Sequence, residues 1–225
     1  GLPQPGVTIK LVPLEDERYE VRVKGPSVMP GYLDQPELTS SVFDDEGYYR
    51  SGDALKLVDP DNPHLGLMFD GRIAEDYKLS TGTWVNAGPL RTMVNGHLSP
   101  LVRDVLPTGH NRDEVGVLAF PEIEACRRLA ELPPQASLRE VASHPRVRAE
   151  FEKRLAIIAA EGTSSVNTVT RLMIMDEPLT DSECTDKGTL SFNVVLEHRA
   201  RDINELYAAT PSPRAVYAPR KEAGA

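Results

Sequence analysis

Two six-residue stretches near the start of the chain set the strongest limit on its fold. Val7-Thr8-Ile9-Lys10-Leu11-Val12 alternates apolar and polar side chains over most of its length, and Tyr19-Glu20-Val21-Arg22-Val23-Lys24 does so throughout. A period of two puts every second side chain on one face, so each reads as a strand with one dry and one wet face. That pattern belongs to an antiparallel sheet or a small barrel. Pro13 and Gly25-Pro26 end the two stretches, since proline brings no N–H to a ladder and Gly-Pro turns the chain. Asp44-Asp45-Glu46-Gly47 reads as a turn before a strand at Tyr48-Tyr49-Arg50. Asp59-Pro60-Asp61-Asn62-Pro63 reads as a loop before a short strand over Leu65 to Phe69.

From Gly71 onward helix and strand signals mix. Val115 to Phe120 is a continuous apolar run of strand length stopped by Pro121, and Glu122 to Glu131 has helical spacing. Ser137 followed by Glu140 has the form of a capping box. Val147 to Ala160 predicts an amphipathic helix ended by Gly162, Thr168 to Met175 a strand, and Phe192 to Ala208 one closing helix. The stretch after Thr210 is rich in Pro, Ala and charge, which predicts a loose tail over 211–225. The expected class is α+β: a small antiparallel β-barrel remnant over 1–71, then a mobile α+β domain over 72–210.

Charge narrows the function. The 225 residues hold 25 basic and 34 acidic side chains, and residues 1–70 alone hold 6 basic against 13 acidic, a net of −7. General affinity for nucleic acid or anionic lipid needs concentrated positive charge, so neither is an expected partner. No apolar stretch approaches the ~20 residues of a membrane helix, and residues 1–6 lack the basic start and apolar middle of a secretion signal. The chain reads as cytoplasmic. Cys126 and Cys184 lack disulfide or metal-ligand spacing, and the five histidines are scattered, so no metal site is expected.

Three ordered motifs go further: Val23-Lys24-Gly25-Pro26-Ser27-Val28-Met29-Pro30-Gly31-Tyr32-Leu33, Asp44-Asp45-Glu46-Gly47-Tyr48-Tyr49-Arg50-Ser51-Gly52-Asp53, and Asp70-Gly71-Arg72. Together they resemble the second half of the AMP-forming acyl- and aryl-CoA synthetases, within the adenylate-forming superfamily. Gly71 to Val85, with the turn Pro107 to Glu114, looks most like feruloyl-CoA synthetase. The resemblance spans roughly Gly1 to Tyr207. It also implies a longer enzyme, because the family's Ser/Thr/Gly-rich phosphate loop lies earlier in the chain and is not found here, nor is any Gly-x-x-x-x-Gly-Lys element. The chain therefore looks like a C-terminal portion whose partner is a missing N-terminal domain, which would bind most of the Mg2+.

The resemblance implies a two-step chemistry. A carboxylate is a poor electrophile toward a thiol, so the family first joins it to the α-phosphate of ATP as acyl-AMP and then lets the thiol of CoA displace AMP. By resemblance, Asp53 accepts hydrogen bonds from both ribose hydroxyls, held on a tight glycine turn. Arg72 reaches the ribose or phosphate side of the same nucleotide, the alternative being a surface ion pair with Asp70 or Glu75. Lys187 bridges the attacking carboxylate and the phosphate. The usual order there is Gly then Lys, however, and an alignment anchored on Gly188 puts Thr189 at that position. The segment from Lys78 to Asn86 swings in for thiolation, with backbone near Gly82 lining the pantetheine channel. Trp84 there is equally a packed core or interface ring or a cofactor contact.

The implied activity is an ATP-dependent acid–thiol ligase, acting on a carboxylic acid such as the hydroxycinnamate ferulate, with this piece inactive alone. The rivals are a non-catalytic module that binds AMP, CoA or a carrier protein, and the adenylation region of a carboxylic acid reductase.

Overall fold

Strands β1 (Thr8–Pro13) and β2 (Tyr19–Lys24) pair antiparallel, with Ile9 opposite Val23 and Leu11 opposite Val21. The register thus brings the apolar sets of the two alternating stretches onto one face, since cross-strand partners share a side. The chain continues through a short helix α1 (Pro36–Val42) into β3 (Tyr49–Leu57) and β4 (Leu67–Arg72). The computed structural model describes residues 1–15 and 17–219, which divide into two compact units between Asp76 and Tyr77.

In the first unit the four strands form an open sheet in the order β1-β2-β3-β4, every pair antiparallel. β1 and β4 are its outer strands, the Leu67 end of β4 being bonded to Gly1, and no barrel closes among the described residues. β3 extends well past Arg50 because Ser51-Gly52-Asp53 is a bulge within the strand rather than a turn. The register against β2 shifts there, the register against β4 shifts just after it with the extra residue on β4, and Gly52 takes a φ of +71° that a residue with a Cβ rarely adopts. The strand expected over Leu65 to Phe69 starts later, at Leu67, and runs on through Asp70-Gly71-Arg72. A 3₁₀ turn at Pro63–Leu65 occupies its predicted start.

The segment after Arg72 stays with this unit. Arg18, 5% exposed, donates to the Asp70 carbonyl at 3.1 Å and pairs with Asp76 Oδ2 at 2.7 Å, closing the 3₁₀ turn Ile73–Glu75 against the sheet.

The second unit opens on a small hairpin, β5 (Tyr77–Lys78) and β6 (Trp84–Val85), followed by α2 (Ala87–Leu98), β7 (Val102–Thr108) and β8 (Val115–Pro121). Three helices follow: α3 (Ile123–Ala130), α4 (Leu138–Ser143) and α5 (Pro145–Glu161). Then come β9 (Val169–Ile174), α6 (Phe192–His198), α7 (Ala200–Leu206) and β10 (Ala215–Tyr217). The sheet order is β10-β9-β8-β7, with β8 and β9 parallel and the other pairs antiparallel. β8 is buried from Val115 through Phe120, which explains its unbroken apolar run: a strand covered on both faces has no wet side to mark with polar residues.

Helix α5 buries Val147, Phe151, Leu155 and Ile158, spaced four, four and three apart, so one stripe faces the core. The capping box at Ser137 and Glu140 forms as its spacing predicts. Two expectations are corrected. The closing helix breaks at Arg199 into α6 and α7. The stretch beyond Thr210 is not loose up to Tyr217, because β10 pairs with β9 as an edge strand; residues 220–225 of that expected tail lie outside the described residues.

Candidate functional site

In the first unit the bulge of β3 aims Asp53 across to β4, where it faces Arg72 as its cross-strand partner. Arg72 Nε lies 2.9 Å from Asp53 Oδ1, yet its N–H does not point at the oxygen, and Oδ1 is buried with no aligned hydrogen bond. The same guanidinium donates through Nη1 to the Ser51 carbonyl at 3.2 Å. The Ser51 hydroxyl steadies the bulge, donating to the Val21 carbonyl at 2.6 Å and accepting the Asp53 N–H at 3.1 Å.

Burial pushes the Asp53 carboxyl up from its usual range, and the charge of Arg72 offsets part of that. Arg72 pairs with neither Asp70 nor Glu75. Asp70 turns instead to Lys56 at 3.0 Å and Arg18 at 3.9 Å. A half-buried carboxylate with an unused acceptor beside an exposed guanidinium can take hydrogens from a diol and face an anion at once.

In the second unit Lys78, Gly82 and Trp84 sit together on the β5–β6 hairpin. Lys78 Nζ stands 4.7 Å from the centre of the Trp84 ring, a cation over a π face. Trp84 is 38% exposed and lies at the surface of the hairpin. Gly82 has a φ of +82°, and its N–H closes the turn on the Leu79 carbonyl at 2.9 Å; a Cβ there would meet nothing within 4 Å, so the glycine answers to backbone angle and not to crowding.

The hairpin is fastened to the loop after β7. The Ser80 hydroxyl donates to Asp113 at 2.6 Å, the Ser80 N–H to the Arg112 carbonyl, and the Tyr77 hydroxyl to the Thr108 carbonyl at 2.9 Å. Thr108 and Tyr207 hydroxyls lie 3.2 Å apart, and burial pushes the Tyr207 phenol up to about 12. Gly82 is therefore carried on a hairpin whose base is held at Thr108, by its carbonyl to Tyr77 and its hydroxyl to Tyr207.

Lys187 is held in a separate hairpin of the same unit. Thr185 and Thr189 pair across it, Gly188 turns its tip with a φ of +74°, and Lys187 is exposed beside that turn. The structure thus brings Asp53 to Arg72 and Lys78 to Trp84, and sets Lys187 on an element of its own.

Three features were not anticipated: the Ser80–Asp113 fastening, the Tyr77–Thr108–Tyr207 chain, and a buried Glu183–Arg199 pair with Nε to Oε1 at 2.7 Å. Each joins residues 16 or more positions apart, beyond the reach of local spacing. No group of three or more His, Cys, Asp or Glu suited to a metal occurs among the described residues, and no helix there is long and apolar enough to cross a membrane. Both cysteines are free, and burial pushes the Cys126 thiol up to about 11.

An α+β unit preceded by such a sheet is the architecture of the C-terminal portion of adenylate-forming enzymes. The A domain of carboxylic acid reductase from Segniliparus rugosus, in complex with AMP and a co-purified carboxylic acid, superposes with a TM-score of 0.70 at 25% identity, over 91% of this chain and 32% of that one. Residues 76–211 match the AMP-binding enzyme C-terminal domain, and the chain belongs to that family. Carboxylic acid reductase of Mycobacterium tuberculosis is 34% identical over 94 residues, 42% of this chain and 8% of that protein. A chloroplastic long-chain-fatty-acid–acyl-carrier-protein ligase of Arabidopsis thaliana is 24% identical over 223 residues, 92% of this chain and 29% of that protein. The chain spans less than a third of each of these relatives.

Proposed function

We propose that this chain is the C-terminal part of an ATP-dependent acid–thiol ligase, with a hydroxycinnamate such as ferulate as its acid and CoA as its thiol. The observation that carries the reading is Asp53: a part-exposed carboxylate, ion-paired with Arg72 on the adjoining strand and making no aligned hydrogen bond through its buried oxygen. Its Oδ1 is buried against Arg72 while the Asp53 side chain stays 30% exposed, and the exposed side is free to accept hydrogens from two ribose hydroxyls. Arg72 then faces the ribose or phosphate side of the nucleotide with a permanent charge. Lys187 offsets the negative charge that grows when carboxylate meets α-phosphate, and the Lys78 to Trp84 hairpin lines the path of the incoming pantetheine thiol. Rotation of one unit against the other serves the two half-reactions in turn. In this reading the preceding domain supplies the phosphate loop, the Mg2+ ligands and the acid pocket, and the outer strands of the four-stranded sheet continue into its barrel. The hydroxycinnamate rests on the resemblance of Gly71 to Val85 to feruloyl-CoA synthetase.

A second reading, the adenylation region of a carboxylic acid reductase, is favoured by the similarity to proteins of that name. It shares the acyl-AMP step and differs in the thiol acceptor, a carrier arm in place of CoA.

Asp53→Ala in the intact enzyme is expected to weaken ATP binding about 10- to 150-fold, the counterpart of roughly 1.5–3 kcal/mol for hydrogen bonds to a charged acceptor. Titration calorimetry of the variant measures it, and unchanged affinity rules out the ribose role. The 225-residue chain by itself is expected to release no pyrophosphate from ATP and ferulate in a coupled assay. Turnover by that chain would show that the missing parts are not needed.

A further inference from the structure

Glu183 is 1% exposed and its carboxylate is fully engaged. Arg199 grips it with two prongs, Nε to Oε1 at 2.7 Å and Nη2 to Oε2 at 2.9 Å, while the Thr180 N–H and hydroxyl reach Oε2 at 2.8 and 3.0 Å. Burial alone would raise the carboxyl's pKa, but the Arg199 bonds and the Thr180 donors outweigh it and bring it down to about 2. Arg199, itself 7% exposed, also donates to the Pro178 carbonyl at 2.8 Å and stands 6.0 Å from the ring centre of Phe120 on the central strand. It occupies the break between α6 and α7, with φ −97° and ψ 19°. A single straight helix would carry a different backbone at this residue.

The position of this pair gives it a use. Glu183 is the residue before the Lys187 hairpin, and its own carbonyl accepts the N–H of Ser191, the residue after it, at 2.8 Å. The bridge between Cys184 and Leu190 follows at once, and Leu190 and Phe192 sink into the core at 4% exposure each. Both legs are therefore tied at their base, and the five residues from Thr185 to Thr189, Lys187 among them, stand exposed. Stability does not by itself account for an ion pair here, because apolar residues of the same volume commonly serve as well or better. What a two-pronged pair adds is direction.

We propose that Glu183 and Arg199 are positioning residues that set the Lys187 hairpin on the central sheet, so that the lysine is presented in one orientation for acyl-AMP formation. This rests on the reading of Lys187 given above.

Two measurements separate the proposal from that reading. In the first, Glu183→Gln and Arg199→Lys versions of the 225-residue chain are compared by hydrogen–deuterium exchange. The amides of Thr185 and Gly188, both bonded within the hairpin, are expected to exchange at least tenfold faster, with β8 unchanged. Unchanged hairpin protection in both variants overturns the proposal. So does loss of β8 protection in both, which would mean the pair holds the whole unit.

In the second, the same variants of the intact enzyme are assayed in each half-reaction beside Lys187→Ala. Expected is a tenfold or greater loss of pyrophosphate exchange, with thioester formation from supplied acyl-AMP spared. A merely structural pair would depress both. If Lys187→Ala slows adenylation and Glu183→Gln does not, the positioning role is wrong. If Lys187→Ala itself spares adenylation, the reading of the lysine fails, and the exchange result alone decides whether the pair anchors the hairpin.

Discussion

Replacing Lys187 by alanine in the intact enzyme is expected to lower acyl-AMP formation by about 10²- to 10³-fold, the range seen when one preorganised charge-stabilising donor is removed. Two anions, a carboxylate and a phosphate, must approach each other in that step, and their repulsion grows until a cation lies between them. Lys187 suits the task because the hairpin tip leaves it exposed, and it makes no hydrogen bond or ion pair among the described residues. The competing position does not suit it. Thr189 is neutral, and its hydroxyl lies 2.8 Å from that of Thr185 across the hairpin. Thioester formation from supplied acyl-AMP is expected to survive the change, since no second anion has to be neutralised there. The check is pyrophosphate exchange for the first half-reaction and thioester release for the second. An equal loss in both would mean that the lysine supports the hairpin and not the chemistry.

Phe151→Ala is expected to destabilise the second unit by about 3–5 kcal/mol, the cost of removing a fully buried aromatic side chain. Phe151 is 0% exposed on the inner stripe of α5, between Val147 and Leu155, which are equally enclosed. The space it leaves cannot close without moving a helix that packs on β9 and β10. Backbone circular dichroism during urea unfolding of the 225-residue chain, read beside hydrogen–deuterium exchange of the β8 amides, follows that unit. A loss below about 1.5 kcal/mol would mean that the core collapses around the gap and is packed more loosely than the structure shows.

Local periodicity made much of the second unit legible. β8 and α5 announced themselves because each buries a pattern of its own, continuous for a strand covered on both faces and stepped by three and four for a helix. α1 carried no such signal, for it buries none of its residues. Nor did α2, whose Gly88, Pro89, Asn95 and Gly96 weaken the helical reading that its buried Leu90, Val94 and Leu98 support. β10 is three residues long after a Pro-rich stretch, and only the open edge of β9 makes it a strand.

The site divides in the same way. The residue types at Asp53, Arg72 and the Lys78 to Trp84 hairpin were readable as ordered motifs, because their spacing along the chain is itself the signal. Their partners were not. Arg72 had acids nearby in sequence at Asp70 and Glu75, yet it faces Asp53, nineteen positions earlier, because the register of β3 against β4 places them opposite. The helix break at Arg199 was equally hidden, since the local sequence is helical throughout and the break coincides with a carboxylate sixteen residues away.

The amino-acid order alone thus determined where strands alternate, where the core runs, and which superfamily the motifs belong to, all of which depend on neighbours within a few positions. Only the tertiary structure decided that Ser51-Gly52-Asp53 is a bulge whose carboxylate faces Arg72, and that the Lys187 hairpin is tied down by Glu183. Both depend on strand register and on burial, and these are set by packing between segments far apart in the chain.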